Sequence, residues 1–392
     1  MINSEIYGYY TYQNKKMLSK FEVMSLAESI NEVQWHYNDD FFLAQDWKNE
    51  PTQSLEQLYA ARASYLRNNY DYIILMYSGG SDSHNILDTF AKNNIHLDEI
   101  VHLINYDGSK DKENFQNNEV FKVAYPRTRE YIEKYNLKAK HRVIDYTARA
   151  VEFFNDETRF DFVHWLNNFG APNMHTKAHL FESTVEWKNL VASGKSVCFL
   201  WGCDKPGMIE MRGKFYMHFT DIIDGAISTR EQHTGFFGTT DELFYWAPQY
   251  DAAQIIIKQG HIIKNAMSVS YFRKFMSSPF IKYKPNTEIS VVGYEKNKIL
   301  YSLGGELLKR IIYPNWNSKD NVMSKSSTGN FLSERDMWFW NRNDNRSTEI
   351  FLNGIEHMGQ KIKKTWLTDT IEHQGRIFPK GIKKIRSRLY EL

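Results

Sequence analysis

The chain has 392 residues, 42% of them apolar and 15% aromatic, with 10 Trp, 24 Tyr and a net charge of +2. This composition excludes a disordered chain and fits two or three domains, or one large domain with additions. Cys198 and Cys203 are the only cysteines, which excludes a disulfide framework and suits a reducing compartment.

No stretch of about 18 apolar residues exists to span a membrane. Met1 to Lys20 is polar and tyrosine-rich, without an apolar core of signal-peptide length, so a soluble, cytoplasmic protein is expected. Glu22 to Glu32 is predicted as a short helix with Val23, Met24, Ala27 and Ile30 on one face. A second helix is predicted from Ser54 to Asn69, with Leu55, Leu58, Tyr59, Arg62 and Leu66 at helical spacing. Residues 1–70 thus read as a helical segment.

An alternation of strands and helices follows. Tyr72 to Tyr77 is a continuous apolar run, as a strand buried on both faces requires. Asp82 to Asn94 is predicted helical, Glu99 to Asn105 a strand, Arg127 to Tyr135 a helix, and His141 to Tyr146 a third strand. Helices are predicted at about Asp156 to Asn168 and Met174 to Ala192, then a fourth strand from Ser196 to Trp201. The fold class expected is α/β, a mostly parallel sheet with helices on both faces. Asp251 to Ala266 is a further helix. Residues 71–267 form the expected nucleotide-binding unit. Residues 268–392 form an extension whose architecture the pattern does not assign, with Asn315 to Gly329 reading as a long loop.

The strongest chemical signal is Ser78-Gly79-Gly80-Ser81-Asp82-Ser83, placed between a buried strand and an amphipathic helix. Adjacent glycines allow a tight turn and close ligand approach. The first amides of the helix then make an anion site. Ser78, Ser81 and Ser83 add hydroxyls. Asp82 repels phosphate, so it either holds a magnesium ion or caps the helix.

Ser-Gly-Gly-x-Asp-Ser after a first strand resembles the signature of the PP-loop ATP pyrophosphatases, a superfamily with a Rossmann-like fold. The resemblance implies that the turn grips the β- and γ-phosphates of ATP, with Mg2+. A substrate oxygen then attacks the α-phosphorus, pyrophosphate leaves, and an amine or other nucleophile displaces AMP. Gly202 and Asp204, after the fourth strand, resemble the Gly-x-Asp of asparagine synthetase, where the Asp helps bind magnesium and pyrophosphate. Trp201 and Lys205 stand where that family has Glu. Ile2 stands where its glutaminase domain needs a cysteine. The cysteine spacing fits neither the sulfur-transfer branches nor a four-cysteine zinc site. Asp46-Trp47, Glu50-Pro51, Leu58-Tyr59, Arg62, Trp246, Pro248, Lys258, His261 and Lys264 are loosely similar to uncharacterised phage PP-loop proteins.

The expected catalytic set is therefore Asp82, Asp204, Lys205, Lys258 and Lys264, with Asp82 and Asp204 as metal ligands. Lys258, His261 and Lys264 share a helix face and either neutralise pyrophosphate or form a polar face. Asn105 and Tyr106, at the end of the second strand, are candidate nucleoside contacts. Arg62, Arg67, Arg212 and Lys214 are weaker candidates for anion binding. His175, His179, Glu182 and Glu186 lie at metal-compatible helical spacing, but a solvated face explains them as well. From Lys361 to Leu392 there are nine Lys/Arg against three Asp/Glu, a possible nucleic-acid surface or a solvated basic face. Three readings follow: an adenylating enzyme without a glutaminase domain, a nucleic-acid base-modification enzyme using the same chemistry, and an ATP-binding interaction protein without turnover.

Overall fold

The computed structural model describes residues 8–18, 20–104, 120–145, 148, 151–152, 155–159, 184–202, 206–221, 239–245, 247–269, 291–295, 298–302, 306–316, 345–367, 370–373, 375–379 and 382–392. Of the predicted helix at 156–168 only residues 156–159 are described, with a 3-10 turn at Glu157–Arg159, and the loop at 315–329 lies almost wholly outside. So does most of the helix predicted at 174–192.

The chain opens with β1 (Tyr9–Tyr12) and β2 (Lys15–Met17), followed by α1 (Lys20–Leu26) and β3 (Gln34–His36). These strands form an antiparallel sheet in the order β2-β1-β3. A sheet stands here where a helical segment was expected. Tyr-Tyr-Thr-Tyr suits a strand, and Gln13 and Asn14, at φ 47° and 62°, supply the two left-handed positions of a tight hairpin. The helix predicted to Glu32 ends at Leu26. Ser29 caps a separate 3-10 turn at Ile30–Glu32 by accepting from the Asn31 N–H.

After α2 (Asp39–Leu43) comes α3 (Leu55–Asn69), begun by a capping box in which Ser54 and Gln57 satisfy each other's backbone N–H. The central sheet is built from β4 (Tyr72–Met76), β5 (Glu99–Ile104), β6 (Lys140–Asp145), β7 (Val197–Trp201) and one strand that the pattern did not suggest, at Thr239–Leu243. The helices α4 (Ser81–Lys92), α5 (Tyr125–Tyr135) and α6 (Val185–Ala192) lie along the chain between these strands. All pairings in this sheet are parallel. The α/β expectation therefore holds for a five-stranded, all-parallel sheet.

The fifth strand escaped detection because it carries charge at its centre. Asp241 and Glu242 are buried, and each is satisfied. Trp201 Nε1 donates to Asp241 Oδ1 at 2.6 Å, and Arg62 Nη2 meets Glu242 Oε2 at 2.8 Å. Paired burial removes most of the desolvation penalty.

A second five-stranded sheet joins β8 (Gly207–Met211) and β9 (Lys214–His218) to strands distant in sequence. With Thr239–Leu243 counted as β10, these are β11 (Val291–Glu295), β12 (Lys298–Ser302) and β15 (Tyr390–Glu391). β13 (Thr370–His373) and β14 (Arg376–Pro379) make a separate hairpin. The helices α7 (Tyr250–Ser268), α8 (Glu306–Ile312) and α9 (Asn345–Lys361) complete the described elements. One apolar cluster extends from Tyr10 through the β4–β7 centre to Leu392. Among the described residues no helix is long and apolar enough to cross a membrane.

Candidate functional site

The central sheet has the order β10-β7-β4-β5-β6. From β4 the chain moves to β5 on one side, and it later returns to place β7 on the other. The direction of winding reverses between β4 and β7, and in open parallel sheets ligands bind outside the carboxyl ends of strands at such a point. Met76 pairs with Trp201 there, so the segments after both strands emerge side by side. Those segments are Ser78 to Gly80 and Gly202.

The turn is shaped by its own serines. Ser78 Oγ accepts from the Gly80 N–H at 3.3 Å and lies 3.1 Å from Ser83 Oγ. Ser83 Oγ accepts from the Ser78 N–H and donates to the Gly80 carbonyl, both at 3.2 Å. Gly79 sits at φ +82°, and a Cβ there would lie 2.7 Å from Ala124 Cβ. Gly80 is the N-cap of α4 and offers no side chain to the first-turn amides. Ser81 differs from its neighbours. It is 1% exposed, and its Oγ has no hydrogen-bond partner in the described structure.

Gly202 closes the other side. A Cβ at this position would meet Ser83 N at 2.8 Å and the Asp82 carbonyl carbon at 2.9 Å. The backbone after β7 thus rests directly on the first turn of α4. The result is a glycine-lined cradle with an orphan buried hydroxyl beside a helix N-terminus, a donor set suited to phosphate oxygens.

Asp82 is held from both ends by tyrosines. Tyr313 Oη donates to Asp82 Oδ1 at 2.5 Å, and Tyr245 Oη donates to the Asp82 carbonyl at 2.8 Å. Burial, with the Asp82 charge second, pushes both phenols far above their ordinary range. Asn85 Nδ2 donates to Tyr245 Oη at 3.1 Å. Farther along α4, His84 contacts Tyr77 Oη at 3.1 Å through Nδ1. Burial, helped by the nearby Arg127 charge, lowers the His84 pKa to about 4, so its imidazole is neutral at physiological pH. Asp88 accepts from Tyr131 Oη at 2.8 Å and from Asn315 Nδ2 at 2.9 Å.

The other predicted residues fall elsewhere. Asn105, Tyr106, Cys203, Asp204 and Lys205 lie outside the described residues, as do His175, His179 and Glu182. Among the described residues no group of three or more His, Cys, Asp or Glu could hold a metal ion. Lys258, His261 and Lys264 do share a helix, but their polar atoms are committed to backbone. Lys258 Nζ donates to the Pro51 carbonyl and pairs with Glu50, both at 2.8 Å. His261 Nε2 lies 2.9 Å from the Trp47 carbonyl, and Lys264 Nζ donates to the Leu392 carbonyl at 2.8 Å. These residues anchor two distant chain segments on α7. Arg62 is fully buried among Glu242, Asp251, Gln249 and the Phe244 carbonyl, and Arg67 pairs with Asp98. Lys214 pairs with Glu391 at 2.9 Å.

Sequence reasoning missed Arg127, Tyr245, Tyr313 and Trp316. Arg127 Nη1 donates to the Gly79 carbonyl at 3.2 Å. A usable signal existed for it, because a cation in the first turn of a helix opposes the helix dipole. The tyrosines carried none, being ordinary apolar positions in the pattern.

Searches against family models and against curated proteins find no match.

Proposed function

We propose that this chain is an ATP pyrophosphatase that adenylates a substrate, releasing pyrophosphate and leaving AMP for displacement by a nucleophile. The observation that carries the reading is the orphan Ser81 hydroxyl inside a glycine cradle at the switch point of a parallel sheet. Such a cradle fits the terminal phosphates of ATP. The backbone around Gly79 and Gly80 would approach them, Ser81 Oγ would donate to them, and the α4 dipole would favour their charge. A magnesium ion would neutralise phosphate charge, with Asp82 as its ligand from the described residues. Asp82 is oriented for this by Tyr313, whose O–H takes up one carboxylate oxygen. Catalysis on this reading is mainly positioning and charge neutralisation.

A nucleic-acid substrate held by the basic C-terminal run has less support. Lys363 pairs with Glu28 at 2.7 Å, Arg376 with Glu349 and Glu356, and Lys383 Nζ donates to the Thr365 carbonyl. Three of the nine cations of that run thus have partners within the chain.

Product identity tests the proposal. The full chain is incubated with ATP, magnesium and pools of metabolites, tRNA or DNA. AMP with pyrophosphate is the expected outcome; ADP with phosphate refutes the mechanism. Tight ATP binding without turnover in any pool points instead to a nucleotide-sensing protein. Asp82→Asn is expected to abolish pyrophosphate release while the far-UV circular dichroism stays unchanged, and full activity in that variant removes the magnesium role.

A further inference from the structure

A turn that binds phosphate through its backbone works only while its peptides face the right way, and Gly79-Gly80 is the peptide least able to hold itself. We propose that His84 is the positioning residue for that peptide, acting through Tyr77 and Arg127. This inference rests on the ATP reading above and deepens it.

A peptide is planar and trans, so its C=O and N–H point in opposite directions. With a glycine on each side, no Cβ resists rotation of the whole plane. Rotation would exchange the two ends and reverse the local dipole of the turn. Two contacts oppose it. Ser78 Oγ accepts from the Gly80 N–H at 3.3 Å, and Arg127 Nη1 donates to the Gly79 carbonyl at 3.2 Å.

Arg127 is held in turn. Its side chain also hydrogen-bonds the Tyr77 hydroxyl, and its guanidinium carbon lies 5.6 Å from the centre of the Trp316 ring. Tyr77 Oη lies 3.1 Å from His84 Nδ1, and Tyr131 Oη lies 3.4 Å from His84 Nε2. The direction of each bond is set from the far end. The Asp88 carboxylate only accepts, so Tyr131 spends its proton there, at 2.8 Å. Tyr131 Oη then accepts from the His84 Nε2–H. A neutral imidazole protonated at Nε2 has a lone pair at Nδ1, and that lone pair takes the Tyr77 proton. The Tyr77 oxygen is left to accept from Arg127. Burial, helped by the Arg127 charge, keeps His84 neutral at physiological pH. The other charges beside it are Asp88 and Lys92, paired with each other at 2.8 Å, and its ring packs against those of Tyr131 and Trp316. The chain of bonds therefore has one orientation, from a cation at the turn to a carboxylate on α4, and the Nε2–H tautomer of His84 is what lets it run.

NMR of isotope-labelled histidine ring nitrogens reads the tautomer in the full chain, with His84 assigned by its loss in His84→Asn. Nε2 protonated and Nδ1 unprotonated at neutral pH is expected, and the opposite tautomer overturns the proposal. Isothermal titration calorimetry with inorganic pyrophosphate and with ATP, each with magnesium, reads the consequence. Tyr77→Phe and His84→Leu each break the chain and are expected to weaken both ligands about threefold to tenfold, the loss of one buried hydrogen bond. His84→Asn keeps an acceptor near the place of Nδ1 and is expected to stay within about twofold. Equal losses in His84→Asn and His84→Leu would mean a purely structural role and overturn the proposal, as does wild-type affinity in Tyr77→Phe. Should His84→Leu fail to fold, Tyr77→Phe against His84→Asn carries the test. A wild-type chain that binds neither pyrophosphate nor ATP refutes the ATP reading itself, a result distinct from normal binding that ignores Tyr77 and His84.

Discussion

At the scale of single residues, contact distance decides what the turn tolerates. Gly202 has backbone on its crowded side, not a flexible side chain that could step away. Gly202→Ala must displace either β7's end or the first turn of α4. Overpacking of this kind costs about 1–3 kcal/mol, and a shifted turn no longer presents Ser81. The expected outcome is a lower urea midpoint together with lost ATP binding; unchanged values for both would mean the cradle is looser than its geometry. His84 makes a pH prediction. Its folded pKa is about 4, against an ordinary 6.5. Between those values the unfolded chain takes up a proton that the folded chain refuses, so stability falls as pH drops from about 6.5 to 4. The contribution is on the order of 3 kcal/mol. His84→Gln should flatten that part of the stability–pH curve, measured by urea titration at each pH, and an unaltered slope would show that other groups set it.

Among elements, α4 is the hub. Its first turn is gripped by β7's end and by Tyr245, which follows β10, while Tyr313 and Asn315, just past α8, hold Asp82 and Asp88. Tyr313→Phe keeps the ring and removes only the donor to a charged acceptor. A stability loss of about 1.5–3 kcal/mol is expected in chemical denaturation; no loss would mean that water replaces the phenol without penalty. These contacts also explain what could and could not be read from sequence. β4 and β7 were legible because strands buried on both faces read as unbroken apolar runs. The Gly79-Gly80 turn was legible because its chemistry is contiguous. β10 was not, since Asp241 and Glu242 break the apolar pattern and are satisfied by Trp201 and Arg62, residues far away in the chain. Tyr313 reaches Asp82 across 231 residues, a separation no local pattern reports. For Lys258 and Lys264 too, helical spacing gave the shared face but not the Pro51 and Leu392 carbonyls that each meets.

For the whole molecule, long-range ties matter more than any boundary between parts. Lys20 and Asp221 form a 2.6 Å ion pair, with side-chain exposures of 1% and 0%. Tyr10 Oη donates to Asp221 Oδ2 at 3.2 Å, and the Ile385 N–H donates to Asp221 Oδ1 at 2.8 Å. One carboxylate therefore links the N-terminal sheet, the β8–β9 region and the C-terminal segment. Asp221→Ala strands a buried ammonium, a change that typically costs about 3–5 kcal/mol. The expected result is a strongly lowered melting temperature. A double variant, Lys20→Met with Asp221→Leu, should recover much of the loss, because no uncompensated charge then remains; equal instability in both variants would place the defect in packing.

The pairing of β15 with β9 has a further meaning for how the chain is made. Tyr390 meets Met217, so β9 emerges from the ribosome long before this partner exists. At ordinary elongation rates the delay is on the order of 10–30 s. During that interval one edge of β9 is an open template for another nascent chain. Production at high concentration should favour inclusion bodies over soluble protein, and slower synthesis or a holdase chaperone should shift the yield back.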